Sequence, residues 1–158
     1  MRKPSYFVLI TADADRNRLY LPSAFDLAKY RLERKEWGLK DRTRYRRYMT
    51  PGDQVLIYIS GYRENAQHFV ASATIASAPT NNTGGIVDSP VMQTSIFSEY
   101  KVALKNAHYF STPICARDLL DKFKFVAPNR RTMWRIYFQG GAIRLQAYDF
   151  NLVTRLGK

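Results

Sequence analysis

Short apolar runs separated by turn residues dominate the chain and predict a protein built mainly of strands. Residues 6–12 form an aromatic and β-branched run bounded by Pro4 and Asp13, which is typical of a buried strand. Residues 54–60 follow a Pro-Gly-Asp turn and are apolar on both faces, as in a central strand or a barrel strand. The residues expected inside these strands and a later one are Val8, Ile10, Val55, Ile57, Val102 and Leu104.

Three further strands are predicted. Residues 68–78 form a return strand whose small side chains suit tight curvature or close helix packing. Residues 100–105 alternate between apolar and polar, and residues 142–147 alternate after a Gly-Gly pair that breaks the preceding segment. The polar stretch 79–95 predicts a long loop.

Helical spacing occurs in three places. Ser23 is followed three residues later by Asp26, which is the pattern of a capping box at the start of a helix. A second short helix is predicted over residues 41–49 and a third over residues 116–123, whereas residues 129–138 fit either a helix or a strand. The inward-facing residues of the second helix would be Tyr45, Tyr48 and Met49.

The order of these elements, which ends in a turn capped by Asp149, predicts an α+β fold. We expect a mostly antiparallel, curved sheet flanked by helices. The chain has 158 residues, of which 46% are hydrophobic, and this is enough to build one core but little more. Since we find neither an internal repeat nor a linker, residues 1–158 are expected to form a single domain.

Charge and aromatic content point to the class of partner. The 25 Lys and Arg residues outnumber the 13 Asp and Glu residues, which leaves a net charge of +12, and the chain also contains 11 Tyr and 9 Phe. Cations attract phosphates and flat side chains stack on bases, so this combination favours nucleic acid over an anionic membrane. The sequence leaves the choice between DNA and RNA open, and it leaves the oligomeric state open.

The positive charge is concentrated in one stretch. Between Lys29 and Tyr48 there are nine cations against three anions, with Trp37 in the middle. A surplus this local favours a phosphate-binding track, although a merely solvated helix face is the alternative. A smaller cationic cluster surrounds Trp134. The residues expected to contact phosphates are Lys40, Arg42, Arg44, Arg46, Arg47, Arg130, Arg131 and Arg144.

Few residues could support catalysis or hold a metal ion. Cys115 is the single cysteine and the two histidines, His68 and His108, are far apart in sequence, so we expect neither a zinc site nor another cofactor. No phosphate-binding glycine loop and no nucleophile elbow is present, and we expect no enzyme activity. The first residues are too short an apolar run for a secretory signal, which predicts a cytoplasmic protein.

Trp37 has two possible roles. It is predicted to lie in a short polar connection between two basic helices, where few neighbours in sequence could bury it. An indole in such a place either fills the end of the barrel or stacks on a base, with help from nearby arginines.

The order of four motifs resembles the EVE domain of the PUA-like superfamily. The aromatic strand at residues 6–11 opens the chain, and Glu36-Trp37-Gly38-Leu39 is similar to the Trp-Gly-Val stretch of that family. Residues 48–60 match its Gly-Asp turn and Tyr-bearing strand, and residues 134–150 resemble its Gly-rich last strand and closing turn. The similarity spans nearly the whole chain and implies a PUA-like, partly closed β-barrel with a pocket at one mouth.

The resemblance also implies a site. The sister YTH domains hold a methylated adenine in an aromatic cage, and Trp37 resembles the first tryptophan of that cage. Gly38 stands where YTH domains have a serine, which removes one hydroxyl. By the same resemblance, Thr11 and the pair Tyr58 and Ser60 lie at the pocket ends of two strands. The candidates for a second cage wall are Phe97, Tyr100 and Trp134.

Three functional hypotheses follow. In the first, the protein reads a modified base that is extruded into an aromatic slot while cations hold the phosphates. In the second, it is a PUA-like RNA-binding accessory domain without preference for a modification. In the third, it is a hydrolase of a related barrel type, which the sequence supports least because no converging set of catalytic side chains is found.

Overall fold

The computed structural model describes residues 2–13, 17–82 and 98–158. Within these ranges there are two α-helices, α1 (Ala24–Glu33) and α2 (Ala147–Leu156). Three 3₁₀ segments cover Arg46–Tyr48, Ala116–Leu119 and Pro128–Phe138. The strands are β1 (Tyr6–Thr11), β2 (Glu36–Leu39), β3 (Gln54–Ile59), β4 (His68–Ile75), β5 (Thr80–Asn81), β6 (Tyr100–Cys115) and β7 (Ala142–Leu145).

The strands form one curled, mixed sheet in the order β2-β6-β4-β3-β1-β7, and β5 also pairs with β6. Only β1 and β3 run parallel among the described pairs; the others are antiparallel. The long strand β6 pairs with β2 near its start and with β4 further on, and register shifts interrupt the β3–β4 and β4–β6 ladders. Such bulges bend strands, and the sheet curls into a half-barrel. The predicted α+β class with a curved, mostly antiparallel sheet is confirmed.

Hydrophobic cores lie on both faces of the sheet. The inner core fills the curve of the half-barrel and includes Phe7 and Leu9 of β1, Trp37 of β2 and the buried face of α1. The outer core lies under α2 and the 3₁₀ segments Ala116–Leu119 and Pro128–Phe138, and it includes Val8. Because successive side chains of a strand point to opposite faces, β1 is buried on both sides.

The predicted core residues divide between these two cores. Four of them lie in the inner core as expected: Val55, Ile57, Val102 and Leu104. Val8 is buried in the outer core, and Ile10 is only partly buried against it. The apolar run at residues 6–11 has no polar face, so alternation could not reveal which of its side chains point inward.

Helix α1 begins where the sequence predicts. The Ser23 side chain accepts a hydrogen bond from the Asp26 amide at 3.0 Å, and the Asp26 carboxylate accepts one from the Ser23 amide at 3.2 Å. These two bonds are the predicted capping box, and they satisfy amides that a helix start leaves without partners.

The predicted helix over residues 41–49 is wrong. Only Arg46–Tyr48 form a 3₁₀ turn, and the residues before them are held by other partners. The Lys40 amide donates to Thr43 Oγ1 at 2.9 Å, and the Arg44 amide donates to the Gly140 carbonyl at 3.2 Å. Met49 is buried as expected, but Tyr45 and Tyr48 are 37% and 64% exposed rather than inward-facing. Tertiary contacts therefore override the helical spacing in this segment.

Other local predictions also change. Trp37 lies in strand β2 instead of a connection between helices. The third predicted helix is only the 3₁₀ turn Ala116–Leu119, whereas the expected closing turn at the end of the chain is the full helix α2. The predicted loop begins with the short strand β5, and its part from residue 83 onward lies outside the described residues.

Candidate functional site

A cleft of about 520 Å³ opens at the mouth of the half-barrel. It lies where β1 and β3 end, and it is bounded by α1, β2 and the segment that leads into β7. This volume is typical of small-ligand pockets. Its lining comprises Ile10, Thr11, Ala12, Asp13, Leu27, Arg31, Trp37, Gly38, Leu39, Lys40, Arg42, Thr43, Ser60, Ser98, Phe138, Gln139, Gly140 and Gly141.

Trp37 and Arg31 line the cleft together. Trp37 belongs to the inner core and is 1% exposed, so its indole reaches the cleft only by a small part of its surface. The guanidinium carbon of Arg31 lies 5.0 Å from the centroid of the indole ring, and Arg31 is itself buried. One face of the indole is therefore already covered by a cation, and a base could stack on that face only if Arg31 moved.

Asp13 fixes one lip of the cleft. Its Oδ1 accepts a hydrogen bond from the Ala24 amide at 2.8 Å, and its Oδ2 accepts one from the Tyr62 amide at 3.0 Å. Nearby, the Thr11 hydroxyl donates to the Ala24 carbonyl at 2.9 Å. The end of β1, the start of α1 and the turn after β3 are joined in this way.

The Gly140-Gly141 pair forms the opposite lip. The Gly141 carbonyl accepts from the Ile10 amide at 3.0 Å, and the Gly140 carbonyl accepts from the Arg44 amide at 3.2 Å. Both glycines have positive φ angles, of 83° and 82°, which L-residues rarely adopt. A side chain at position 141 would also meet Thr43 Oγ1 at 3.2 Å. The glycine pair thus lets the basic segment that follows β2 approach the end of the barrel closely.

The predicted phosphate-binding residues occupy different environments. Lys40 and Arg42 are exposed and line the cleft. Arg44 and Arg47 are exposed beyond it, and the Arg44 side chain lies beside Gly140. Arg46 is different, because its guanidinium lies 3.7 Å from the ring centroid of Tyr100 and 3.3 Å from an Asp41 carboxylate oxygen. With a side chain only 11% exposed, Arg46 is packed in the structure and offers little surface to a phosphate.

The remaining predicted cations do not line the cleft. Arg130 is exposed, and Arg131 is half-buried and donates to the Asp121 carbonyl at 3.4 Å. Both lie on the 3₁₀ segment Pro128–Phe138, whose last residue does reach the cleft. Arg144 is exposed on the edge strand β7.

Four predicted pocket residues come together in the cleft: Thr11, Trp37, Gly38 and Ser60. Tyr58 does not, because it is buried in the outer core while Ile57 and Ile59 face the inner one. Its ring stacks on Phe138 at a centroid distance of 4.1 Å, and its hydroxyl donates to Gln67 Oε1 at 2.7 Å. Burial raises the pKa of the Tyr58 hydroxyl, as expected for a phenol inside the protein.

Neither of the two described candidates for a second cage wall, Tyr100 and Trp134, lines the cleft. Tyr100 packs against the inner core beneath Arg46, and Trp134 is buried in the outer core against Phe138. Phe97 lies outside the described residues. Among the described residues, the aromatic side chains that line the cleft are Trp37 and Phe138.

Sequence reasoning missed several lining residues. Arg31 follows Leu27 by four residues on α1, so the helical pattern could have placed both on one face. Asp13 follows β1 closely, at the end of the barrel, and that position is the signal that could have indicated it. Phe138 and Gln139 belong to a segment whose conformation the sequence left open, and no local signal placed them here.

A curled half-barrel flanked by helices, with a cleft at its mouth, defines a PUA-like fold. The EVE domain profile matches residues 21–156, and the chain therefore belongs to the EVE domain family. Comparison with the sequences of curated proteins finds no match.

Solved structures share this fold at low sequence identity. Human THYN1 protein, solved in complex with DNA that contains 5-methylcytosine, is 13% identical with a TM-score of 0.64, and 98% of each chain is covered. The N-terminal domain of Staphylothermus marinus McrB is 11% identical with a TM-score of 0.61, over 96% of this chain and 94% of that one. A structure from Leishmania major is 14% identical with a TM-score of 0.56, over 98% and 95% of the two chains.

Two features are absent from the described residues. They contain no group of three or more His, Cys, Asp or Glu side chains that could hold a metal ion. No helix among them is long and apolar enough to cross a membrane.

Proposed function

We propose that this domain binds nucleic acid and holds one unpaired base in the cleft, with a preference for a base that carries an added apolar group. The observation that carries the proposal is the composition of the cleft, which is lined both by the apolar side chains of Leu27, Leu39 and Phe138 and by polar groups. The cations Lys40 and Arg42 also line it. The structure of THYN1 with 5-methylcytosine DNA, in the same fold, supports the proposal.

The cations give the cleft its affinity for a strand. Lys40 and Arg42 lie at the lip, so they can hold the phosphates of a nucleotide whose base has entered. Extruding a base costs a few kcal/mol in a duplex and less in a single strand. The phosphate contacts and the burial of the base against the apolar side chains offset that cost.

The burial of an added group against the apolar side chains of the cleft determines how strongly a modified base is preferred. Burying one added methyl group contributes about 0.8 kcal/mol, which is about a fourfold gain in affinity. A reader of this kind would therefore discriminate modestly by burial alone.

We propose that the domain acts by binding, without catalysis. Among the described lining residues Asp13 is the only carboxylate, and both of its oxygens accept hydrogen bonds from backbone amides. These residues include no histidine and no cysteine, so general acid–base chemistry would lack a second group.

The proposal is tested with matched oligonucleotides. Fluorescence anisotropy would compare single strands of DNA and of RNA, each with one central cytosine or one central 5-methylcytosine. We expect measurable binding at low salt and roughly fourfold tighter binding of the methylated strand in at least one of the two nucleic acids. Equal affinities for the methylated and unmethylated strands would favour an accessory domain without modification preference. The guanidinium of Arg31, which covers one face of the Trp37 indole, would explain such a result. No binding of any strand at low salt would refute both the modified-base reader and the accessory nucleic-acid-binding domain.

A cleft-filling variant tests whether the base enters the cleft. Ala12 is exposed and lines it, so Ala12→Leu should occupy the space while leaving every charge in place. We expect this variant to lose the difference between methylated and unmethylated strands. Ala107→Leu, at an exposed position of β6, is the matched control and should keep it. Trp37→Ala is less useful, because emptying a buried tryptophan site costs about 3–5 kcal/mol of stability.

A further inference from the structure

A surface that begins at the cleft combines exposed cations with exposed tyrosines. It lies between residues 42–48 and strand β7, and we call it the seam; its members are Arg42, Arg44, Tyr45, Arg47, Tyr48 and Arg144. Resting on the function proposed above, we propose that the seam binds the unpaired nucleotides next to the base in the cleft, with Tyr48 and Tyr45 stacking on their bases.

Contacts place Arg144 and the two tyrosines of the seam on one side of the sheet. Phe7 points into the inner core, and Arg144 is its partner in the β1–β7 register, so both side chains emerge on the same face. The Tyr45 ring lies 6.2 Å from the Phe7 ring, and the Tyr48 ring lies 6.4 Å from the Tyr45 ring. The tyrosines thus follow Arg144 along the open side of the half-barrel.

The two tyrosine rings are presented to solvent. Tyr45 is 37% exposed and Tyr48 is 64% exposed, although large aromatic rings usually gain stability from burial. Their planes are inclined by 59°, so the rings do not cover each other. Tyr45 has a φ of 62°, and the hydrogen bond from the Tyr48 amide to its carbonyl, at 2.9 Å, holds this conformation. Each ring therefore keeps a face on which a base can stack.

The charge of the seam suits a nucleic-acid strand. Arg42 belongs to both the cleft and the seam, so a strand whose base is in the cleft can continue along the seam without leaving the cations. Among the described residues, Asp41 pairs with Arg46, and Asp53 pairs with Arg2, so these carboxylates are already neutralised. Base stacking on tyrosine beside arginine is the usual way in which proteins hold single strands without reading their sequence.

The test compares Tyr48→Ala, Tyr48→Phe and wild type on a single strand and on a blunt duplex of the same sequence. On the single strand we expect Tyr48→Ala to bind about tenfold more weakly, whereas Tyr48→Phe retains the ring and binds like wild type. The duplex should bind equally to all three, because its bases are stacked internally. Tyr109→Ala, on β6 and 44% exposed, is the matched control and should behave like wild type.

A second readout separates stacking from charge. The slope of log affinity against log salt should be the same in Tyr48→Ala and wild type, since stacking releases no counterions. The proposed role of the seam would be refuted if Tyr48→Ala bound the single strand as tightly as wild type, or if it lost as much affinity for the duplex as for the single strand. The function proposed for the cleft would be unaffected by either result. If wild-type protein binds no oligonucleotide at all, both proposals fail.

Discussion

Asp13 and Gly61 lie in close contact at the lip of the cleft. The Asp13 carboxylate reaches the Tyr62 amide across the turn after β3, and Gly61 lies directly beneath it. A Cβ atom at position 61 would lie 2.5 Å from Asp13 Oδ2, which is closer than atoms can approach. The absence of a side chain here is therefore a condition for the hydrogen bonds that join the three segments of the lip.

Gly61→Ala should destabilise the protein and distort the cleft. Its φ of 112° is strained for alanine, at a cost of about 1–3 kcal/mol, and the clash with Asp13 adds to that cost. Gly52→Ala is the control, since its φ of 92° imposes similar strain while nothing lies within 4 Å of the added carbon. Denaturant unfolding should show a larger loss of unfolding free energy for Gly61→Ala than for Gly52→Ala. Equal losses would mean that the Asp13 contact contributes nothing.

At the scale of elements, what could be predicted depended on how local the signal is. The start of α1 is encoded by Ser23 and Asp26, which bond each other, so the sequence carries the whole motif. Strand β2 has only four residues, and its partner β6 lies more than sixty residues further along the chain. Its buried Trp37 and Leu39 alternate too briefly to be distinguished from helical spacing.

In the candidate site, too, the residues that could be predicted are those with a local sequence signal. Thr11, Ser60 and Trp37 were predicted because each belongs to a recognisable motif, and the structure does bring them to one cleft. Tyr58 was predicted to face the pocket, whereas its side chain lies in the outer core. Strand β3 is apolar on both sides, so its pattern does not indicate which side chains point inward. Arg46 was counted with the free cations, since no sequence signal indicates that Tyr100 lies beneath it.

Helix α2 contains a buried carboxylate whose charge makes stability depend on pH. Asp149 is fully buried, and burial raises its pKa above 3.8 although the Lys124 amide donates to Oδ1 at 2.7 Å. The folded state therefore binds the proton more tightly than the unfolded state does. The contribution of this group to stability is complete below pH 3.8 and is lost as the pH rises through the folded pKa.

Asp149→Asn should remove this pH dependence. The free energy of unfolding, measured from about pH 3 to pH 7, should fall less with rising pH in the variant than in wild type, whatever the overall stability of the variant. Asp118→Asn, which replaces an exposed carboxylate, is the control and should keep the wild-type slope. An unchanged slope in Asp149→Asn would show that Asp149 is not the group responsible.

At the scale of the whole molecule, a net charge of +12 attracts any polyanion, so the position of the cations matters more than their number. Lys40 and Arg42 line the cleft, whereas Lys105 and Arg155 are exposed on β6 and α2. The two pairs carry the same charge and should differ only if the strand follows the cleft.

Salt dependence distinguishes these pairs. On single strands each phosphate contact contributes about −0.7 to the slope of log affinity against log salt, so Lys40→Gln with Arg42→Gln should flatten the slope by about 1.4. Lys105→Gln with Arg155→Gln should leave it nearly unchanged. An equal flattening in both double variants would indicate diffuse attraction by the net charge instead of binding at the cleft.

The pairing of β1 with both β3 and β7 has a consequence for the order in which the protein is made. Among the described strands β1 is synthesised before its two partners, and β7, which covers its second edge, ends at Leu145. At about 5–20 residues per second, a ribosome needs roughly 7–30 s to reach that residue after completing β1. Throughout that interval at least one edge of this buried strand has no partner, and an unpaired edge is a site for aggregation. The edge of β1 that β7 covers therefore stays open to pairing with another chain until β7 emerges.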